Sequence, residues 1–171
     1  MRRGNIVLVG FMGTGKSTVA KKISGDLKME YVDTDSLIES KEGRSINDIF
    51  SENGEDYFRT VEREVIKEVS AKTGCVIDAG GGVVLNANNM RDLKSGGIIF
   101  CLTATAGSIY ERTRGHGHRP LLNVEDPVGR INELLKKREK FYMAADHQIS
   151  TDDRTAADVA GEIEKIYKRE K

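Results

Sequence analysis

The sequence predicts an α/β fold in which a parallel sheet is covered on both faces by helices. Short apolar, β-branched runs alternate with longer amphipathic segments along the 171 residues. Such alternation builds parallel sheets through crossover helices. The first apolar run leads at once into Gly10-Phe11-Met12-Gly13-Thr14-Gly15-Lys16-Ser17, a G-x-x-x-x-G-K-S loop at a strand-to-helix junction. Two further unusual clusters, Asp33-Thr34-Asp35 and Gly80-Gly81-Gly82, also follow predicted strands. All three therefore fall on one sheet edge, at the carboxyl ends of the strands, where α/β sheets collect ligands.

The elements follow in order. Asn5 to Val9 is a buried strand by its unbroken apolar run. Thr18 to Leu27 is a helix, with Val19, Ala20, Ile23 and Leu27 on one stripe. Glu30 to Thr34 is a second strand. Ser36 to Lys41 and Ile46 to Phe50 are short helical pieces broken at Gly43, and Ser36-Leu37-Ile38-Glu39 reads as a capping box with Ser36 as the cap. Glu55 to Lys72 is a longer helix, with Phe58, Val61, Val65 and Val69 spaced by three or four. Cys75 to Asp78 is the third strand, Ala87 to Lys94 a helix, Ile98 to Leu102 the fourth strand and Ala106 to Arg112 a helix. Arg114 to Val124 has glycines, charges and no periodicity, so it reads as a loop. Pro127 to Met143 is helical, with proline acceptable near its start. Gln148 to Ser150 is a last, weak strand, and Ala156 to Tyr167 closes as a helix. No repeat, low-complexity stretch or Pro/Ser-rich linker interrupts the chain, which predicts a single domain over residues 1–171.

Composition narrows the function classes. Lys plus Arg equals Asp plus Glu at 27 each, so no broad field for nucleic acid or membrane is expected, and anion recognition must be local. No apolar run approaches the roughly 18–20 residues of a membrane span. Met1-Arg2-Arg3-Gly4 runs straight into the first strand. That leaves no room for a leader peptide and makes the cytosol the expected location. Cys75 and Cys101 lie in apolar runs without metal-ligand spacing, as buried free thiols do.

The loop at residues 10–17 has the chemistry of a phosphate cradle. Glycines let successive backbone N–H groups face an anion, the following helix adds its positive end, Lys16 can reach β and γ phosphates, and the Ser17 hydroxyl can ligate Mg²⁺. If Ser36 is the helix cap, neither Asp33 nor Asp35 is needed for capping. Beside a phosphate loop, one carboxylate can hold Mg²⁺ through water and another can face an acceptor hydroxyl. Three consecutive glycines at 80–82 suit close approach of a substrate to bare backbone. Arg59 and Glu62, one helical turn apart, read either as a surface ion pair or as a guanidinium aimed at a substrate carboxylate and oriented by Glu62. Arg138 among Lys136, Lys137 and Lys140 reads by itself as a solvated basic face. Arg119, in Gly117-His118-Arg119-Pro120-Leu121-Leu122, suits a lid that brings an arginine to a transferring phosphoryl group. His116 and His118 have no partner at metal spacing and read as exposed lid residues.

Taken together, GFMGTGKST, DTD, Phe58-Arg59, GGG, RPLL and Lys137-Arg138 with Tyr142 resemble the shikimate kinase family. That family lies in the nucleoside-monophosphate-kinase branch of P-loop proteins, and the resemblance runs from Asn5 to the last helix. It implies a three-layer α/β/α P-loop kinase fold with a five-stranded parallel sheet in the order 2-3-1-4-5. It also implies a substrate-binding segment over about residues 34–62 and a lid over about 114–124. The implied reaction is transfer of a phosphoryl group from ATP to the 3-hydroxyl of shikimate, with Mg²⁺, by a cytoplasmic monomer. Carried over by position, Gly13, Thr14, Gly15, Lys16, Ser17 and Thr18 bind ATP. Ser17 takes the metal directly and Asp33 through water. Asp35 binds the shikimate hydroxyls and faces the attacking oxygen. Arg59, Arg138, Gly80, Gly81 and Gly82 hold the shikimate carboxylate. Arg119 approaches the transferred phosphate, Arg112 stacks on adenine, and Arg154 lies in the adenine-side loop.

The chain departs from the family pattern at two positions. Ala156 stands where relatives often carry proline, and Asp78 where they often carry a small neutral residue. Asp78 resembles a Walker B aspartate and reads either as a second-shell Mg²⁺ group or as a structural acid. Two alternatives are another P-loop kinase acting on a sugar acid such as gluconate or on a nucleotide, and a non-catalytic nucleotide-binding protein. The Asn/Thr-Lys-x-Asp tetrapeptide of GTPase switches does not occur in the sequence. Lys16, Asp35 and Arg119, which a catalytically dead relative is expected to lose, are all present.

Overall fold

The computed structural model describes residues 4–115 and 123–171. Its strands are β1 (Asn5–Gly10), β2 (Glu30–Asp33), β3 (Cys75–Asp78), β4 (Gly97–Thr103) and β5 (His147–Ser150). All four neighbouring pairs run parallel, giving one five-stranded sheet in the order β2-β3-β1-β4-β5. This is the predicted order. It puts β1 and the phosphate loop at the centre, with β3 and β4 as flanking neighbours.

The helices are α1 (Lys16–Leu27), α2 (Thr34–Glu42), α3 (Ile46–Ser70), α4 (Ala87–Gly96), α5 (Ala106–Thr113), α6 (Pro127–Tyr142) and α7 (Ala156–Glu170). β1 is buried along its whole length because it has a helical layer on each side. Ile6 and Leu8 face a core with Val19, Ala20 and Ile23 of α1 and Val159, Ala160 and Ile163 of α7. Val7 and Val9 face the opposite core, built on Val61, Val65 and Val69 of α3, Leu93 of α4 and Ile131 of α6. Each Val, Leu or Ile among them contributes roughly 1.5–3 kcal/mol on burial. Both cysteines are buried free thiols, as predicted.

Two local features differ from the sequence reading. Ile46 to Ser70 is one helical run with a break inside it, at Gly54 (φ 83°, ψ 176°). The predicted pieces therefore abut at a glycine conformation that an L side chain rarely adopts. A 3₁₀ turn over Val83–Leu85 follows the glycines, closed by Val83 N–H to Gly80 O (3.1 Å) and Leu85 N–H to Gly82 O (3.1 Å). Three residues are too few to show periodicity.

Candidate active site

The phosphate loop begins where β1 ends and closes onto α1. Gly15 caps α1 at φ 92° with no side-chain cap, so the first-turn amides are available to an anion. Thr14 Oγ1 donates to Phe11 O at 2.7 Å and fixes the turn internally. Lys16 Nζ curls over the loop and donates to Gly10 O (2.8 Å) and Phe11 O (3.1 Å). Gly13, Gly15, Lys16, Ser17 and Thr18 line a cleft of about 280 Å³ with Asp33, Asp35, Asp78, Gly80 and Gly81. The three clusters of the sequence do meet on one sheet edge.

The acidic side of this cleft corrects one expectation. Ser36 does not cap α2. The helix begins at Thr34, and Asp33 is its cap, with Oδ1 accepting from Asp35 N–H (3.0 Å) and Ser36 N–H (3.2 Å). β2 passes into α2 without a loop, so the last strand residue is the one whose carboxylate reaches the free amides. Asp33 therefore caps the helix and lines the cleft at once. Asp33 and Asp78 are register partners on β2 and β3, which sets two carboxylates side by side. Asp78 Oδ2 accepts from Ser17 Oγ at 2.6 Å and from the Tyr31 hydroxyl at 3.0 Å. Burial pushes the Asp78 carboxyl upward, opposed by Ser17, Lys16 and Tyr31. Burial, reinforced by the carboxylates of Asp33 and Glu62, pushes Asp35 up to about 6.

The three glycines each carry one chemical group. A Cβ on Gly80 would lie 2.6 Å from Asp35 Oδ1. Gly81 O accepts from Arg138 Nη1 at 3.5 Å and from the Tyr142 hydroxyl at 3.3 Å. A Cβ on Gly82 would lie 2.8 Å from Arg59 Cζ. Any side chain at positions 80 or 82 would displace the functional group beside it. Arg59 joins an exposed ion pair to a buried one: its Nη2 donates to Glu55 Oε1 at 3.3 Å on the surface. Its Nη1 donates to Glu62 Oε1 at 2.9 Å, and Glu62 is only 2% exposed. Burial raises the Glu62 carboxyl, while Arg59 and then Arg138 draw it back. Arg138 Cζ lies 5.6 Å from the Phe11 ring centroid, so it leans over the phosphate loop instead of joining a solvated basic face.

The shikimate kinase family model matches residues 12–168. Shikimate kinase from Thermodesulfovibrio yellowstonii is 48% identical over 165 residues, covering 96% of this chain and 95% of that protein. The shikimate kinase of Caldanaerobacter subterraneus subsp. tengcongensis is 45% identical over 163 residues, covering 95% of each. Among solved structures, shikimate kinase from Acinetobacter baumannii in complex with shikimate superposes with a TM-score of 0.92 at 37% identity, covering 98% of this chain and 94% of that one. The chain belongs to the shikimate kinase family.

The remaining residues expected of a shikimate kinase are distributed unevenly. Arg112 joins the phosphate loop to the start of the β5–α7 connection, donating to Gly13 O (3.2 Å), Thr151 Oγ1 (3.0 Å) and Thr151 O (3.0 Å). Arg154 binds Ser150 O (3.0 Å), Asp158 O (3.3 Å) and Glu162 Oε2 (2.6 Å), and it lines a separate groove along α7. Arg119, His116 and His118 lie outside the described residues. Sequence reasoning missed Thr34, fully buried, whose Oγ1 accepts from Gly80 N–H at 3.0 Å. Its place between two aspartates was the available signal. It also missed Thr151, which holds Arg112, and Tyr31, which holds Asp78.

Proposed function

We propose that the chain is a shikimate kinase that transfers the γ-phosphoryl group of ATP to the 3-hydroxyl of shikimate, giving shikimate 3-phosphate and ADP, a step toward chorismate and the aromatic amino acids. The observation that carries this reading is the glycine turn, where Asp35, Arg138 and Arg59 stand against consecutive residues beside the phosphate cleft. Two guanidiniums suit one carboxylate, and a carboxylate beside the phosphate loop suits the acceptor hydroxyl. Family membership favours this acceptor over a sugar acid.

In this reading Lys16 and the loop amides hold the phosphates, which leaves positioning and charge neutralisation as the main work of phosphoryl transfer. Arg59 and Arg138 bind the shikimate carboxylate, and Glu62 keeps Arg59 extended toward it. Asp35 accepts from the ring hydroxyls and orients the attacking oxygen. Arg119 faces the transferred phosphate, and Arg112 and Arg154 serve the adenine side.

The cleft's donors suit Mg²⁺, a hard cation that takes oxygen ligands: the Ser17 hydroxyl directly, Asp33 through water, and Asp78 behind Ser17. Among the described residues no three His, Cys, Asp or Glu side chains could enclose a metal by themselves. Mg²⁺ characteristically keeps several waters and borrows substrate phosphates. When bound, it neutralises charge on the β and γ oxygens. No helix among the described residues is long and apolar enough to cross a membrane, and the working form proposed is a cytoplasmic monomer.

The test is calorimetric. Arg59→Ala and Arg138→Ala should each weaken shikimate binding at least tenfold and leave ADP binding within twofold of wild type. Unchanged shikimate affinity in both variants would remove the carboxylate clamp.

A further inference from the structure

The third-strand carboxylate is gripped from two sides, and one of its partners has no role in the reaction outlined so far. Asp78 Oδ2 accepts from Ser17 Oγ at 2.6 Å and from the Tyr31 hydroxyl at 3.0 Å. Tyr31 pairs in register with Val76, as Asp33 does with Asp78. Residues two apart on a strand share a face, so Tyr31 stands one step below Asp33 on the side of the sheet that carries α1. Its ring is seated in that layer, partly buried against the core that includes Val76. Lys21 Nζ lies 5.6 Å from the ring centroid. The hydroxyl is therefore carried by an anchored ring and not by a flexible chain.

We propose that Tyr31 is a positioning residue: its hydroxyl pins the Asp78 carboxylate against the Ser17 hydroxyl and so tightens binding of the metal–nucleotide complex. The inference rests on the metal and nucleotide part of the function proposed above. A serine hydroxyl has one proton and two lone pairs. With the proton committed to Asp78, both lone pairs of Ser17 Oγ are free for a cation in the cleft. Asp78 can accept that proton only while its carboxylate stays turned toward Ser17. Tyr31 supplies a second hydrogen bond to the same oxygen, and because its ring is anchored it restricts rotation of the carboxylate away from Ser17. No bond is made or broken and no co-reactant is required.

Tyr31→Phe removes one oxygen and keeps the ring, so the packing that seats it is retained. The measurement is Mn²⁺ binding to the enzyme–ADP complex, followed by electron paramagnetic resonance, beside ADP affinity in EDTA from calorimetry. Tyr31→Phe should weaken Mn²⁺ binding about 3- to 10-fold, a fraction of the loss expected for one hydrogen bond to a charged group because it reaches the metal only through Asp78 and Ser17, with metal-free ADP affinity unchanged. Asp78→Ala should weaken it further, and adding Tyr31→Phe to Asp78→Ala should change nothing more. Mn²⁺ affinity within twofold of wild type in Tyr31→Phe would overturn the proposal. So would an equal loss in the Asp78→Ala background, which would mean that Tyr31 acts by another route. Shikimate appears in neither arm, so a wild-type enzyme inactive on shikimate would sink the acceptor assignment alone.

Discussion

Adding a single methyl group at Gly82 should separate the carboxylate pocket from the nucleotide cleft. Gly82 sits at φ −96°, ψ 0°, which alanine can adopt, so the substitution acts by contact and not through backbone strain. The added Cβ would lie 2.8 Å from Arg59 Cζ and 2.5 Å from Nη2. Ordinary contact begins near 3.4 Å, so the guanidinium must retreat by roughly 1 Å. That movement also disturbs its 2.9 Å bond to Glu62, the contact that aims it. A charge-assisted hydrogen bond is worth about 1.5–3 kcal/mol, which corresponds to roughly 10- to 150-fold in affinity. Gly82→Ala should therefore weaken shikimate binding within that range, measured by calorimetry, with ADP affinity and melting temperature near wild type. In the Arg59→Ala background the same methyl should cost almost nothing, because the group it displaces is gone. Native shikimate affinity in Gly82→Ala, or an equal loss without Arg59, would show that the methyl does not act through the guanidinium.

Three further outcomes follow from the proposed roles. Asp35 titrates at about 6 in the folded protein, above its ordinary value. Its ionisation therefore opposes folding at neutral pH, and the penalty disappears as pH falls below that of the unfolded carboxyl. Asp35→Asn should thus melt at a higher temperature than wild type at pH 8, with the gain fading by pH 4, while turnover is lost; an equal melting temperature at pH 8 would contradict this. Arg119→Ala should lower kcat about 100-fold or more, as loss of a charge-stabilising donor does, and leave shikimate affinity nearly intact in a direct binding assay; the reverse pattern would remove it from the phosphoryl site. Arg112→Ala breaks the links to Gly13 and Thr151 and should weaken ADP binding roughly tenfold without changing shikimate binding, as read by paired titrations.

Legibility in the sequence followed the range of the interactions. The phosphate loop was readable because its chemistry is written in eight consecutive residues, and the alternating pattern carried the sheet. Asp33 was misjudged as free of capping because Ser36 offered an equally good local cap. Only the direct passage of β2 into α2 decides between them. Arg59 and Glu62 leave two readings open in the sequence because their spacing says nothing about depth. The fold buries Glu62 to 2% exposure. Arg138 had no local signal, since what it touches at Gly81 is 57 positions away. The Tyr31–Asp78 contact depends on parallel register across 47 positions, and no short-range pattern encodes it.

Acceptor specificity is read from ADP release by the purified wild-type protein with ATP and Mg²⁺, comparing shikimate, quinate, gluconate and nucleoside monophosphates. Strong turnover is expected with shikimate, little or none with the others, and a product phosphorylated at the 3-hydroxyl. Preferred turnover of gluconate or a nucleotide, or binding of ATP with no acceptor used, would contradict the assignment of shikimate as acceptor.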